Sequence, residues 1–340
     1  MLTAQANRLD AYSTAAAFAN HTVVPSPAAD RNGVAVSGQI CYDPTQPRRF
    51  VTVDATSVAD GQVGWGVFQL AGNALDKLSA QETARLVPTF QPSRDRPTPF
   101  GCAFLPDGRL LTTDLGNQSS GPADGQLIEW FPPFDQDSVV SCKVAVTLAA
   151  PEGVTADGDR VLVAETRGRG VTAFVTSTLP TSNAASGGCA RRDKTGAALA
   201  LGVVQSAWLQ GVAAVVLSQP AAIVAAGTGG FYVSSPSTGV IAQVDRAGHF
   251  VRRVLTPPAG ASLGLRPYTT GTPVGLGVDP TGSLYYADAG FVVRNATMVP
   301  GLRTGTIRRI TFANGVAAPP EIVDSGLESP EGIGIWVRGP

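Results

Sequence analysis

Glu152 and Glu331 each stand in the middle of a Pro-Glu-Gly triplet, in "PEGVTADGDRVLVAET" from Pro151 and "SPEGIGIWV" from Ser329. An acid held in so tight a backbone setting can serve three kinds of chemistry. It can contribute oxygens to a hard cation such as Ca²⁺. It can act as a general acid or base, its pKa raised by dry surroundings. It can also simply accept backbone amides or meet an arginine, for which Arg167 and Arg169 are at hand. Other catalytic arrangements lack the residues. Two histidines are present, His21 and His249, and "DRAGHFVRR" puts His249 on a turn between strands. That leaves no histidine for a Ser-His-Asp triad and too few for a multi-histidine iron or copper site. No GxSxG elbow, Walker loop or GxGxxG after a strand occurs, so the chain shows no nucleotide or flavin motif.

What positions the two glutamates is a repeat. "PVGLGVDPTGSLYYADAG" from Pro273, "PFGCAFLPDGRLLTTDLGN" from Pro99 and "PEGVTADGDRVLVAET" from Pro151 share one plan, with looser copies from Pro220 and Gly38. Each has an apolar strand after a Pro-x-Gly-like start, a turn carrying Asp, Pro or Gly, and a second apolar strand. The second strand ends at Asp54, Asp114, Glu165, Ser235 or Asp288. Two further β-like runs follow most copies. A four-stranded unit recurring about every 50 to 70 residues cannot bury both faces alone, but a radial array covers each sheet with its neighbours. The expectation is one all-β domain over residues 1–340, a six-bladed β-propeller of four-stranded antiparallel blades. Blades start near 38, 99, 151, 220, 273 and 330. Residues 8–25 complete the last blade, so strands from both termini close the ring, although no second strand for that blade stands out at either end. "ALDKLSAQETARLV" (Ala74–Val87) is the one segment with helical periodicity.

Bulk composition agrees. The chain is rich in Gly (39) and Pro (26), 44% hydrophobic and 15% charged, with a net charge of −1. This suits a turn-dense sheet protein and gives no basic stripe for nucleic acid. Residues 195–217 come nearest to a membrane span, but Gln205, Ser206 and Gln210 interrupt them, and buried strands are expected instead. Cys41, Cys102, Cys142 and Cys189 lie far apart without a CxxC pair, which argues against zinc. They fit either disulfides in an exported protein or buried free thiols. The polar N-terminal stretch carries no apolar signal core, so a secreted or periplasmic protein would have lost its leader; otherwise the protein is cytoplasmic.

The three best copies resemble the P-x-G-[IL]-A-V-D-x-x-G-x-[LV]-Y-V-A-D repeat of NHL-type propellers and of the related gluconolactonase, paraoxonase and strictosidine-synthase-like superfamily. The resemblance covers most of the chain as architecture. It implies either a lactonase- or esterase-like hydrolase acting on a small molecule at the mouth of the central channel, or a non-catalytic NHL-type scaffold holding a ligand or protein partner. It further implies an axial Ca²⁺ near the strand starts. Of the residues between Pro and Gly (Gly38, Phe100, Glu152, Ala221, Val274 and Glu331), only Glu152 and Glu331 can be metal ligands. Phe100, Ala221 and Val274 stand where more oxygen ligands would be wanted. The strictosidine-synthase-like members use a glutamate near the channel, which makes Glu152 and Glu331 the catalytic candidates too.

Six-fold geometry sets blades 3 and 6, and hence the two glutamates, across the channel from each other. Around them the expected pocket takes in Phe100, Val274, Asp114, Asn117, Arg167, Asp288, Phe291 and Arg294, with Met298 as a further ligand contact. Asp54, Asp114, Glu165 and Asp288 recur at strand ends, so their expected role is to bond the following turn. Two excursions lengthen the connections, at residues 178–194 between the third and fourth strands of blade 3 and at 256–272 before blade 5. A third, after Asp288, should overhang the channel mouth.

Overall fold

The computed structural model describes residues 1–5, 8–13, 21–24, 36–54, 64–87, 98–116, 121–135, 139–168, 170–192, 198–202, 204–205, 207–227 and 229–336. They form a six-bladed β-propeller. Blade 1 runs outward through Val36–Tyr42, Arg49–Asp54, Gly64–Ala71 and Ser79–Leu86. Blade 2 comprises Pro99–Phe104, Leu110–Asp114, Gly125–Trp130 and Ser141–Leu148. Blade 3 has Pro151–Asp157, Arg160–Glu165, Gly170–Val175 and the short Val204–Gln205. Blade 4 has Ile223–Ala226, Gly230–Ser235, Val240–Asp245 and Phe250–Leu255. Blade 5 has Pro273–Val278, Leu284–Asp288, Gly305–Ile310 and Glu321–Leu327. Blade 6 joins the ends of the chain: C-terminal Gly332–Gly334 lies innermost, then Leu2–Gln5, Arg8–Tyr12 and His21–Val23. Leu2–Gln5 is thus the second strand that the sequence pattern did not reveal.

Each gap between blades holds its own apolar core. Leu2, Leu9, Phe50 and Phe68 fill the closure between blades 6 and 1. Trp65 and Trp130 meet edge to face between blades 1 and 2, and Trp208 packs on Phe231 between blades 3 and 4. At about 1.5–3 kcal/mol for each large apolar side chain buried, these layers are the main force holding the ring.

The recurring Pro-x-Gly has a steric reason. A Cβ on Gly332 would fall 1.9 Å from the carbonyl oxygen of Gly38, and one on Gly275 2.1 Å from that of Glu331. Gly101 stands in the same relation to Glu152, at 2.1 Å, and Gly153 to Ala221, at 2.6 Å. Each glycine therefore lets one inner strand press against the next around the axis. Gln39 spans two blades that are not neighbours: its amide donates to Val154 O (3.0 Å) and accepts from Val154 N (3.1 Å). That pair of hydrogen bonds crosses the channel one step deeper than the glutamates.

Two expectations are corrected. Ala74–Val87 is not helical: a 3₁₀ turn at Leu75–Lys77 precedes the strand Ser79–Leu86. Its Ala, Glu and Leu favour helix, but alternate residues face the sheet and Arg85 reaches Asp54 at 2.5 Å, contacts no local propensity reports. Residues 195–217 are only partly strand; Ala198–Leu199 and Val204–Gln205 are followed by Val212–Val216, the α-helix among the described residues. No helix of the described chain is long and apolar enough to cross a membrane.

The cysteines form two disulfides. Cys41–Cys102 staples the inner strands of blades 1 and 2, and Cys142–Cys189 ties the 178–194 excursion to the outer strand of blade 2. Past Cys189, Arg191–Arg192 and Ala198–Leu199 extend the sheet of blade 2 before the chain returns to blade 3.

Candidate functional site

The inner strands start at one mouth of the channel, and there a cavity of about 250 Å³ opens. Its walls include Phe100, Val274, Glu152 and Glu331 from the axial positions. Thr166 and Arg167 follow the second strand of blade 3, Pro236 and Ser237 follow that of blade 4, and Gln219 precedes the inner strand of blade 4. Phe291 and Met298 overhang from a two-stranded hairpin, Phe291–Arg294 with Thr297–Pro300, inserted after Asp288. Val293 N docks this hairpin on Gly264 O of the excursion before blade 5.

The two glutamates face this mostly apolar space together. Burial drives the Glu152 carboxyl up to about 8, and the charge of Glu331 adds to the rise, while the Thr166 hydroxyl opposes it. Burial likewise raises Glu331, against a hydrogen bond from Gly38 N to its Oε2 at 3.0 Å. Burial thus favours the neutral form of both carboxyls, and the Glu331 charge adds to this at Glu152.

A resident calcium ion does not fit this donor set. Ca²⁺ takes six to eight oxygens, whereas Gly38, Phe100, Ala221 and Val274 fill the other axial positions without a side-chain oxygen. Two of the nearby carbonyls are engaged: Glu152 O accepts from Thr113 Oγ1 and Ala221 O from Gly153 N, both at 2.7 Å. Among the described residues no group of three or more His, Cys, Asp or Glu is arranged to hold a metal ion.

The other candidate residues separate clearly. Phe100, Val274, Arg167, Phe291 and Met298 line the cavity with the glutamates. Arg167, at the rim, donates to Gly121 O (3.3 Å). Asp114 and Asp288 do not line it. Asp288 is buried behind the mouth, its Oδ1 accepting from Thr272 N and Gly290 N and its Oδ2 meeting Thr306 and Arg308. Asp114 is buried too, with Thr98 N and Gly116 N on Oδ1. Arg294 sits exposed on the hairpin, outside the cavity lining. Asn117 and Arg169 lie outside the described residues. His249 pairs with Asp245 at 3.1 Å on an exposed turn between strands of blade 4.

Thr166, Gln219, Pro236 and Ser237 were not anticipated from the sequence. Three of them carry a sequence signal: like Arg167 and Phe291, Thr166, Pro236 and Ser237 stand just past the end of a second strand.

Six radial sheets, a glycine-packed axis and a blade shared by both termini make this chain a six-bladed β-propeller. No protein-family model and no curated protein matches its sequence. Among solved structures it is similar to a luciferin-regenerating enzyme, with a TM-score of 0.55 and 13% identity over 96% of this chain and 88% of that one. It is similar also to a chain of a nidogen/laminin complex (TM-score 0.53, 11% identity, 97% and 95%). A third is virginiamycin B lyase from Staphylococcus aureus (0.50, 12%, 96% and 81%). A luciferin-regenerating enzyme, a lyase and a chain of a nidogen/laminin complex share this fold, so the likeness extends to architecture alone.

Proposed function

We propose that the chain is a small-molecule hydrolase, lactonase- or esterase-like, working at the channel mouth with Glu152 and Glu331 as its acid–base pair. The observation that carries this reading is the meeting of both glutamates, each with a raised pKa, in one apolar cavity. In such a step the ionised member takes a proton from a water attacking the ester or lactone carbonyl. The neutral member gives its proton to the departing oxygen as the acyl C–O bond breaks. Water is consumed and the pair ends with its proton transferred from one carboxyl to the other. Phe100, Val274, Phe291 and Met298 would hold the apolar part of the substrate and exclude bulk water. The two disulfides suit an oxidising compartment, so we place the protein outside the cytoplasm in this proposal.

The rival reading is a binding propeller without catalysis, favoured by the Gly38 amide already bonded to Glu331 and by the apolar character of most axial positions. The discriminating experiment measures kcat/KM on p-nitrophenyl acetate and on γ- and δ-lactones. Glu152→Gln and Glu331→Gln should each lower it by about 10²-fold or more while leaving Tm close to wild type. Activity should also fall above about pH 8, where Glu152 gives up its proton. Wild-type rates in both variants, or no turnover by the wild type, would leave the binding reading; activity abolished by EDTA and restored by Ca²⁺ would overturn the metal-free step.

A further inference from the structure

A second cavity, of about 470 Å³, opens on the opposite face of the ring. Its walls include Arg48, in the turn between the first two strands of blade 1, and Pro280, in the matching turn of blade 5. Those turns lie at the far end of the inner strands from the glutamates. Leu70, Leu75 and the Trp336 ring supply apolar walls, and Tyr42 lines the same space.

Three observations converge on Arg48. First, it has no carboxylate partner among the described residues. Arg49, beside it, pairs with Asp43; Arg109 pairs with Glu129 and Arg308 with Asp288, each with a buried acid. Arg48 instead donates to Gly72 O (2.6 Å) and Asn73 Oδ1 (3.3 Å), leaving its charge uncompensated. Second, its guanidinium is laid 5.1 Å over the Trp336 ring, which fixes it at the cavity wall. Third, its backbone stands at φ 63, a left-handed conformation that disfavours any residue with a Cβ. Close by, the buried Tyr42 hydroxyl has no hydrogen-bond partner among the described residues, and burial keeps it protonated. An unspent charged donor and an unspent hydroxyl at one apolar cavity call for an anionic acceptor with an apolar body.

We propose that this cavity is a second ligand site, for an organic carboxylate whose head group meets Arg48 and Tyr42 and whose apolar part lies against Leu70, Leu75 and Trp336. It is independent of the acid pair at the other mouth and of whatever reaction that pair performs.

Calorimetric titration with octanoate, using octylammonium as the charge-reversed control, tests this. Octanoate should bind at one site per chain and octylammonium should not. Arg48→Gln should weaken octanoate binding about tenfold or more, and Tyr42→Phe by a smaller factor, as expected for losing a charged and a neutral donor. Arg48→Gly keeps the test open if the glutamine variant folds poorly, because glycine accepts the left-handed backbone; it should retain Tm and lose binding. Glu152→Gln should bind octanoate as the wild type does. Absence of octanoate binding, equal binding of both probes, wild-type affinity in the Arg48 variants, or loss of binding in Glu152→Gln would each overturn the proposal.

Discussion

Blades 3 and 5 are built on nearly the same phrase and differ at the axis. Blade 5 places Val274 there, and behind it Asp288 is satisfied on both oxygens by Thr272, Gly290, Thr306 and Arg308. Blade 3 places Glu152 at the axis, and its strand-end acid Glu165 binds Ala149 N (2.6 Å) and the Thr172 hydroxyl. In both blades the strand-end acid is thus spent on the backbone leading into the inner strand and on a threonine of the third strand. The axial residue is the variable one, and only where it becomes glutamate does the repeat leave a carboxyl facing the cavity. Functional residues here are the departures from the repeat rather than its most regular positions.

The largest effect should come from breaking what the blades share. Gly275→Ala brings a Cβ to 2.1 Å from the Glu331 carbonyl oxygen and has no flexible neighbour to displace. It should abolish soluble, cooperative folding or lower Tm by more than 10 °C, a cost of several kcal/mol. Blade 4 carries Ala222 at this position, so Ala222→Gly should fold with only a small loss. Thermal melts of the two variants decide the matter, and a Gly275→Ala protein as stable as wild type would remove the steric account of the repeat.

The ring was legible because this steric demand writes itself into four of the six blades as Pro-x-Gly, and four second strands end in an acid. The facing of Glu152 and Glu331 followed from counting blades. What was not legible lies where that demand is absent. Leu2–Gln5 joins a strand from the far end of the chain, and four residues with two polar side chains carry no pattern of their own. Ser79–Leu86 is an outer strand that buries small alanines, so its composition mimics a helix. Gln219 reaches the cavity from the link before an inner strand, a place set by the three-dimensional ring rather than by residue type.

A smaller effect should separate the two axial types by pH. The folded protein holds a proton on Glu152 up to about pH 8, whereas the unfolded chain releases it in the ordinary carboxylate range. The native state therefore binds more protons than the unfolded one across that window, and stability falls as pH rises through it. Wild-type Tm should decline by several degrees between pH 5 and pH 9. Glu152→Gln should flatten that decline, and Val274→Ala should leave its slope unchanged. Parallel slopes in wild type and Glu152→Gln would mean that the carboxyl is already ionised at the mouth.

The smallest effect compares two strand-end acids directly. Asp288 has Arg308 against its second oxygen; Asp114 has its Oδ2 buried without a partner among the described residues, and burial, with the Asp124 charge a minor contributor, pushes it up to about 6. Its contribution to stability is present below the ordinary carboxylate range and lost as pH rises through 6. Asp114→Asn keeps the Oδ1 that accepts Thr98 N and Gly116 N, removes the charge, and turns an amide donor toward the field of Asp124. It should raise Tm at pH 7.5 by a few degrees. Asp288→Asn should do the opposite at the same pH, because it strands the Arg308 guanidinium beside a neutral amide. If both variants lose stability together at pH 7.5, Asp114 has a compensating partner in solution and the two acids are equivalent after all.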